Sequence, residues 1–163
     1  MSPRAAAFSR RPLSARDAAH AAPILASLEP WSTLGFASAG LERHLSGAPD
    51  DADSTKQRWA LCLDDALAGV AVVRAPWLRG PYLETIAVFP HAQGRGIGAG
   101  FLALMEADAR AAHQSNTWLC VSAFNHAAQR FYARQGYTKV AHLDGLIRPD
   151  QDEHLMRKRL DLT

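Results

Sequence analysis

Residues 93–99 read Gln-Gly-Arg-Gly-Ile-Gly-Ala, with three glycines at alternate positions. They follow an apolar run, YLETIAVF, that breaks at Pro90. Successive backbone N–H groups at a helix N-terminus bind anions, helped by the helix dipole, and glycines let the backbone approach a phosphate closely. A plain strand–helix connection would use such glycines only for a tight turn. A nucleoside triphosphate loop needs G-x-x-x-x-G-K-[ST], and no Lys-Ser/Thr follows here. A dinucleotide fingerprint does match on spacing at Gly94, Gly96 and Ala99. It also expects an acid about 20 positions on, at the end of the next strand. That strand, TWLCVSAFN, ends without one.

Side chains suited to work beside a phosphate site stand before and after the loop. Strict alternation along YLETIAVF puts Glu84, Ile86 and Val88 on one face and Leu83, Thr85 and Ala87 on the other. Asn125 precedes HAAQRFYARQ, where asparagine is a favoured helix N-cap, and Tyr132 lies next to Phe131 in that segment. Trp31, Leu34 and Phe36, with Trp77 and Tyr82, read either as core or as an apolar wall. Asp144, Asp150, Asp152 and Glu153 surround the loop RPDQD, where acids either attract a cation or are simply solvated.

Regular elements must hold these groups. Leu13 to about Leu28 reads as a helix ended by Glu29-Pro30, since a proline ring disfavours helical backbone just before it. WSTLGFASAGLERHL reads as a turn and a second helix, with Leu41 and Leu45 at i and i+4. GAPDDADSTK is a loop whose three aspartates are a solvated face. RWALCL and ALAGVAVVRAPW are strands joined at Asp64-Asp65, a hairpin signal. Ile97, Phe101 and Met105, with Leu102, make one apolar helical stripe after the glycines. TWLCVSA is a strand, HAAQRFYARQ a short helix closed by Gly136, and GYTKVAHLDGLI and EHLMRKRL are final strands. This order predicts a mixed sheet with helices on both faces.

At 163 residues, with 48% hydrophobic and 21% charged residues, the chain fits one ordinary domain. Residues 11–163 are expected to form it, behind a flexible leader over 1–10 that loosely resembles a transit peptide. A net charge of +2 gives no reason to expect nucleic acid or a membrane surface as partner. Cys62 and Cys120 lie in apolar segments without a C-x-x-C partner and read as buried, reduced thiols. The histidines show no zinc spacing, so no metal is expected. The chain reads as cytoplasmic.

The segment containing Val88, Pro90, Gln93, Gly94, Gly96, Ile97 and Gly98 resembles motif A of the GNAT superfamily, the GCN5-related N-acetyltransferases, whose signature is Q/R-x-x-G-x-G/A. The run of Asn125, Ala128, Phe131, Tyr132, Gly136 and Tyr137 is similar to that family's motif B. Ala92 departs from an aromatic often found in motif A. The resemblance covers about the last hundred residues well. It implies an α/β GNAT fold, with a mixed, mostly antiparallel sheet of six to seven strands flanked by about four helices. It further implies direct acetyl transfer from acetyl-CoA to a primary amine of a small molecule or protein.

Carried onto this sequence, the resemblance has Ile86, Ala87 and Val88 pair with the pantetheine arm, the Val88 amide polarising the thioester. Gln93, Gly94, Arg95, Gly96, Ile97, Gly98 and Ala99 cradle the pyrophosphate, Arg95 adding charge or remaining solvated. Asn125 contacts the pantetheine while capping its helix. Tyr132 hydrogen-bonds the sulfur and protonates the leaving thiolate, unless it is core. Glu84 is the general base, directly or through a water, or else only orients the acceptor. Trp31, Phe36, Tyr82 and Glu84 are the acceptor-site candidates. The family's habits imply a homodimer, whose interface is not legible. A non-catalytic acyl-CoA-binding module and, more distantly, a dinucleotide oxidoreductase are the competing readings.

Overall fold

The computed structural model describes residues 4–47 and 55–162. The aspartates of GAPDDADSTK fall outside the described residues. Within them the chain runs β1 (Phe8–Pro12), α1 (Ala15–Ala26), α2 (Trp31–Leu34), α3 (Ser38–Ser46), β2 (Lys56–Leu63), β3 (Ala66–Trp77) and β4 (Gly80–Val88). A 3-10 turn at Pro90–Ala92 leads to α4 (Ile97–Ala111), β5 (Asn116–Ser122), α5 (His126–Arg134), β6 (Thr138–Arg148) and β7 (Gln151–Arg159). The strands form one sheet in the order β1-β2-β3-β4-β5-β7-β6, antiparallel except for the β4–β5 pair. No helix among the described residues is long and apolar enough to cross a membrane.

Two apolar layers sandwich the sheet. The stripe of Ile97, Phe101 and Met105 on α4 packs with Val73, Leu83 and Leu119 on one face. Ala18 and Leu25 of α1 and Leu41 and Leu45 of α3 pack with Val70, Val72 and Ala87 on the other. The Asp64-Asp65 hairpin forms as expected, both residues taking the positive φ (49° and 65°) that tight hairpins favour.

The start of the chain departs from expectation. Residues 8–10, assigned above to a flexible leader, open β1, which pairs antiparallel with β2 from Phe8↔Leu63 to Pro12↔Trp59. The strand is short, at the sheet edge, and carries Arg10, Arg11 and Pro12, charged residues and a proline of the kind edge strands favour. Arg11 grips Asp17 with both guanidinium nitrogens, at 2.6 and 3.1 Å. Asp17 and Ser14 complete a capping box at the start of α1. The guanidinium bond and the cap amide hold the Asp17 carboxyl far below the usual carboxylate range. β1 and α1 are thereby clamped together.

Candidate active site

The candidate site begins where β4 and β5 separate. Their parallel pairing is confined to Tyr82↔Trp118 and Leu83↔Leu119. Against β3, Leu83 pairs with Val73 and Thr85 with Val72, so Glu84 is an extra residue, a β-bulge. A bulge bends and twists its strand, and here it turns the second half of β4 away from β5. The gap is a cleft of about 480 Å³ lined by Thr85 and Ile86 on one side and Cys120, Val121 and Ser122 on the other.

From Ile86, which lines the cleft, main-chain groups continue along the chain toward α4. The Phe89 N–H donates to Ala68 O across β3 at 2.8 Å. Because successive residues of a strand alternate their amide direction, the amides of Val88 and Ile86 point away from β3, into the gap. The Val88 carbonyl accepts from the Gln93 side chain at 3.2 Å. Gly94 and Gly96 then take left-handed φ values of +76° and +77°, with open space where a Cβ would stand. Gly96 caps α4, and the first helical bond is Gly100 N–H to Gly96 O at 2.9 Å. The amides of Ile97, Gly98 and Ala99 therefore have no acceptor within the helix. Gly98 has a packing reason too, since a Cβ there would come within 3.2 Å of the Phe131 ring.

The cleft itself offers side chains. Tyr132, on α5, is buried against Phe131 and Tyr137, with ring centroids 5.3 and 6.0 Å away. It lines the cleft. Burial pushes that phenol well above its ordinary acidity range. Asn125 caps α5, its Oδ1 accepting from the Ala128 N–H at 3.3 Å, and also lines the cleft.

An open parallel pair, outward amides and a glycine-built helix N-terminus converge here, and the comparisons agree with that geometry. The family model described as Acetyltransferase (GNAT) family matches residues 20–137. This chain belongs to the GNAT acetyltransferase family. A GNAT-family protein from Desulfovibrio desulfuricans shares the fold at TM-score 0.75 and 24% identity, over 96% of this chain and 100% of that one. The ribosomal-protein-S18-alanine N-acetyltransferase from Escherichia coli does so at TM-score 0.73 and 18% identity, over 96% of each chain. A spermidine N-acetyltransferase from Vibrio cholerae, in complex with CoA and spermine, gives TM-score 0.70 and 17% identity, over 93% of this chain and 95% of that one. No curated protein matches at a significant level.

Other expected residues of this GNAT domain are redistributed. The bulge moves Glu84 off the face of Ile86 and Val88. Leu83 packs in the α4 layer with those two, while Thr85 and Ala87 turn toward α1 and α3. Glu84 lines the cleft but bonds Arg74 Nε at 2.9 Å and lies 3.7 Å from Lys56 Nζ. The Ile97 side chain is core, so only its amide can serve a ligand. Gln93, Gly94, Arg95 and Gly96 are exposed on a loop beyond the enclosed part of the cleft. Trp31, Leu34, Phe36 and Tyr82 do line it, whereas Trp77 stands behind, 4.8 Å from Tyr82 and 5.4 Å from Trp118 between ring centroids. Asp144, Asp150 and Asp152 do not line the cleft. Asp150 pairs with Arg148, and Asp152 with His142 and the Gly145 amide.

Glu153 lies in the final strand, as EHLMRKRL led one to expect, but it is not solvated: it is 2% exposed, lines the cleft, and accepts from the Ser122 hydroxyl at 2.7 Å. His44, which the sequence reading passed over, also lines the cleft, with Nε2 2.8 Å from the Thr85 hydroxyl. Its position three residues after Leu41 was the available signal, since i and i+3 share a helix face.

Proposed function

We propose that this chain transfers the acetyl group of acetyl-CoA directly to a primary amine. The observation that carries this reading is the pair of outward-facing amides at Ile86 and Val88, followed along the chain by the unpaired amides at the N-terminus of α4. An acyl-pantetheine arm has the amide groups to add to β4 as a strand would, and its pyrophosphate suits the helix terminus. The CoA complex of the spermidine acetyltransferase, a protein of the same fold, supports that assignment. The Val88 N–H is the donor for negative charge developing on the thioester oxygen.

Tyr132 donates a hydrogen bond to the departing sulfur. Its acidity is so weakened by burial that complete transfer to a thiolate, ordinarily near 8.5, would run uphill. Stabilisation by the hydrogen bond is the better role. Glu84, committed to Arg74 and Lys56, holds the β4 bulge in place. Asn125 holds α5, and with it Tyr132, against the cleft. Holding both substrates in this gap supplies much of the acceleration without a covalent enzyme intermediate.

The test is thiol release from acetyl-CoA across a panel of primary amines, with product mass measured. Amine-dependent release with acetylated product supports transfer. Binding of acetyl-CoA without turnover of any amine would favour a binding module. Thermal stabilisation by NADH rather than acetyl-CoA would remove the reading.

A further inference from the structure

The cleft is lined by three carboxylates, Glu29, Glu84 and Glu153, and by no lysine or arginine among the described residues. They are not equivalent. Glu84 is answered by Arg74 and Lys56. Glu29 sits in water at the rim, where the hydroxyls of Ser32 and Thr33 donate to its Oε1 at 2.8 Å each. Glu153 is buried, has one hydrogen bond from Ser122, and pairs with no cation of the described residues. A desolvated carboxylate without a cation is costly, and an ammonium bound against it would relieve that cost. Phe36, Leu146 and Ile147 also line the cleft yet are 40%, 54% and 46% exposed, so they form an apolar mouth above the buried acid.

Resting on the acetyltransferase reading above, we propose that Glu153 anchors the acceptor ammonium at the floor of the cleft and takes its proton, and that the acceptor amine is carried on an apolar group. Glu153 removes one proton from the ammonium. The free amine forms the C–N bond as the C–S bond breaks, and a second nitrogen proton ends on the sulfur. The proton held by Glu153 then leaves to solvent. Burial supports this role by raising the carboxyl above the ordinary 4.5, against the opposing effect of the Ser122 bond. A base nearer neutrality is a better proton acceptor. The titratable groups facing the same space are His44 from α3, Tyr82 and Glu84 from β4, Cys120 from β5, Tyr132 from α5, and Glu29 at the rim. β6 contributes only apolar side chains to the lining. Burial keeps the Tyr82 hydroxyl and the adjoining Cys120 thiol protonated.

Two variants and two amines test the assignment. Glu153→Gln should lower kcat/KM for 2-phenylethylamine by about 100-fold, abolish the acid limb of its pH profile, and leave acetyl-CoA affinity intact. Ser122→Ala removes a bond that favours the charged carboxylate, so the acid limb should move to higher pH. The wild type should prefer 2-phenylethylamine to ethanolamine. Activity of Glu153→Gln within about threefold of wild type, an unmoved limb in Ser122→Ala, or preference for ethanolamine would overturn the proposal. Calorimetric binding of 2-phenylethylammonium gives a readout independent of turnover. Binding by the wild type that Glu153→Gln loses supports the anchor, even if amine acetylation itself fails. Equal binding by both proteins, or none by the wild type, sinks the anchor.

Discussion

The cleft and the strand-to-helix arm that leads from it are made of different material. The arm from Ile86 to Ala99 offers main-chain amides, aimed by strand alternation and by two left-handed glycines. The cleft offers side chains that meet only through tertiary structure. Ser122 reaches Glu153 across 31 positions, and His44 reaches Thr85 across 41. Backbone function needs only residues that permit a conformation, so it leaves a compact trace in the chain. Side-chain function depends on which distant segments become neighbours. On the proposed reading, the arm serves the constant cofactor and the cleft varies with the acceptor.

Single substitutions should separate the two. The largest effect is expected for Tyr132→Phe, with kcat falling about 100-fold and acetyl-CoA affinity unchanged by calorimetry. Unchanged kcat where chemistry limits the rate would return Tyr132 to a packing role. Gly96→Val forces a branched side chain into a left-handed backbone at a cost of about 1–2 kcal/mol. It should weaken acetyl-CoA binding about tenfold and leave the amine KM in place. An altered amine KM with normal cofactor binding would show that the two are not separable.

Glu84→Gln should cost less than about tenfold in kcat/KM and keep the acid limb of the pH profile, since loss of a true base costs 10²–10⁴. Disappearance of that limb would make Glu84 the base instead of Glu153. The smallest effect lies outside the cleft. Asp17→Asn should lower stability by about 1 kcal/mol, read as a drop in Tm at neutral pH. The folded Asp17 carboxyl titrates well below 3.8, so its contribution is full above that value and is lost as pH falls further. Wild-type and variant melting temperatures should therefore converge in acid, and a constant gap would discount the Arg11–Asp17 clamp.

Much of the fold was legible because most strands and helices carry their own period. The α4 stripe, the Asp64-Asp65 turn and the capped α5 helix each announce themselves within a dozen residues. β1 did not, because FSRRP lacks apolar alternation and an edge strand does not need it. The faces of β4 were misread for another reason. Period-two counting assumes one residue per partner, and nothing in LETIAV marks Glu84 as the extra one. Glu153 was hidden by its company: beside Asp150, Asp152 and a turn it looked solvated, and only pairing with Ser122 and Leu143 buries it. The glycine loop and Asn125–Tyr132 were readable because their spacing is local.

The bulge at Glu84 also divides β4 into two segments of independent phase. Below it, Tyr82 and Leu83 keep one register with Arg74 and Val73; above it, Ile86 and Val88 keep another with Ala71 and Gly69. A one-residue slip or insertion near Tyr82 can be absorbed at this joint before it reaches Val88. The Tyr82 end of the strand can thus be rewritten while the amides of Ile86 and Val88 hold their aim.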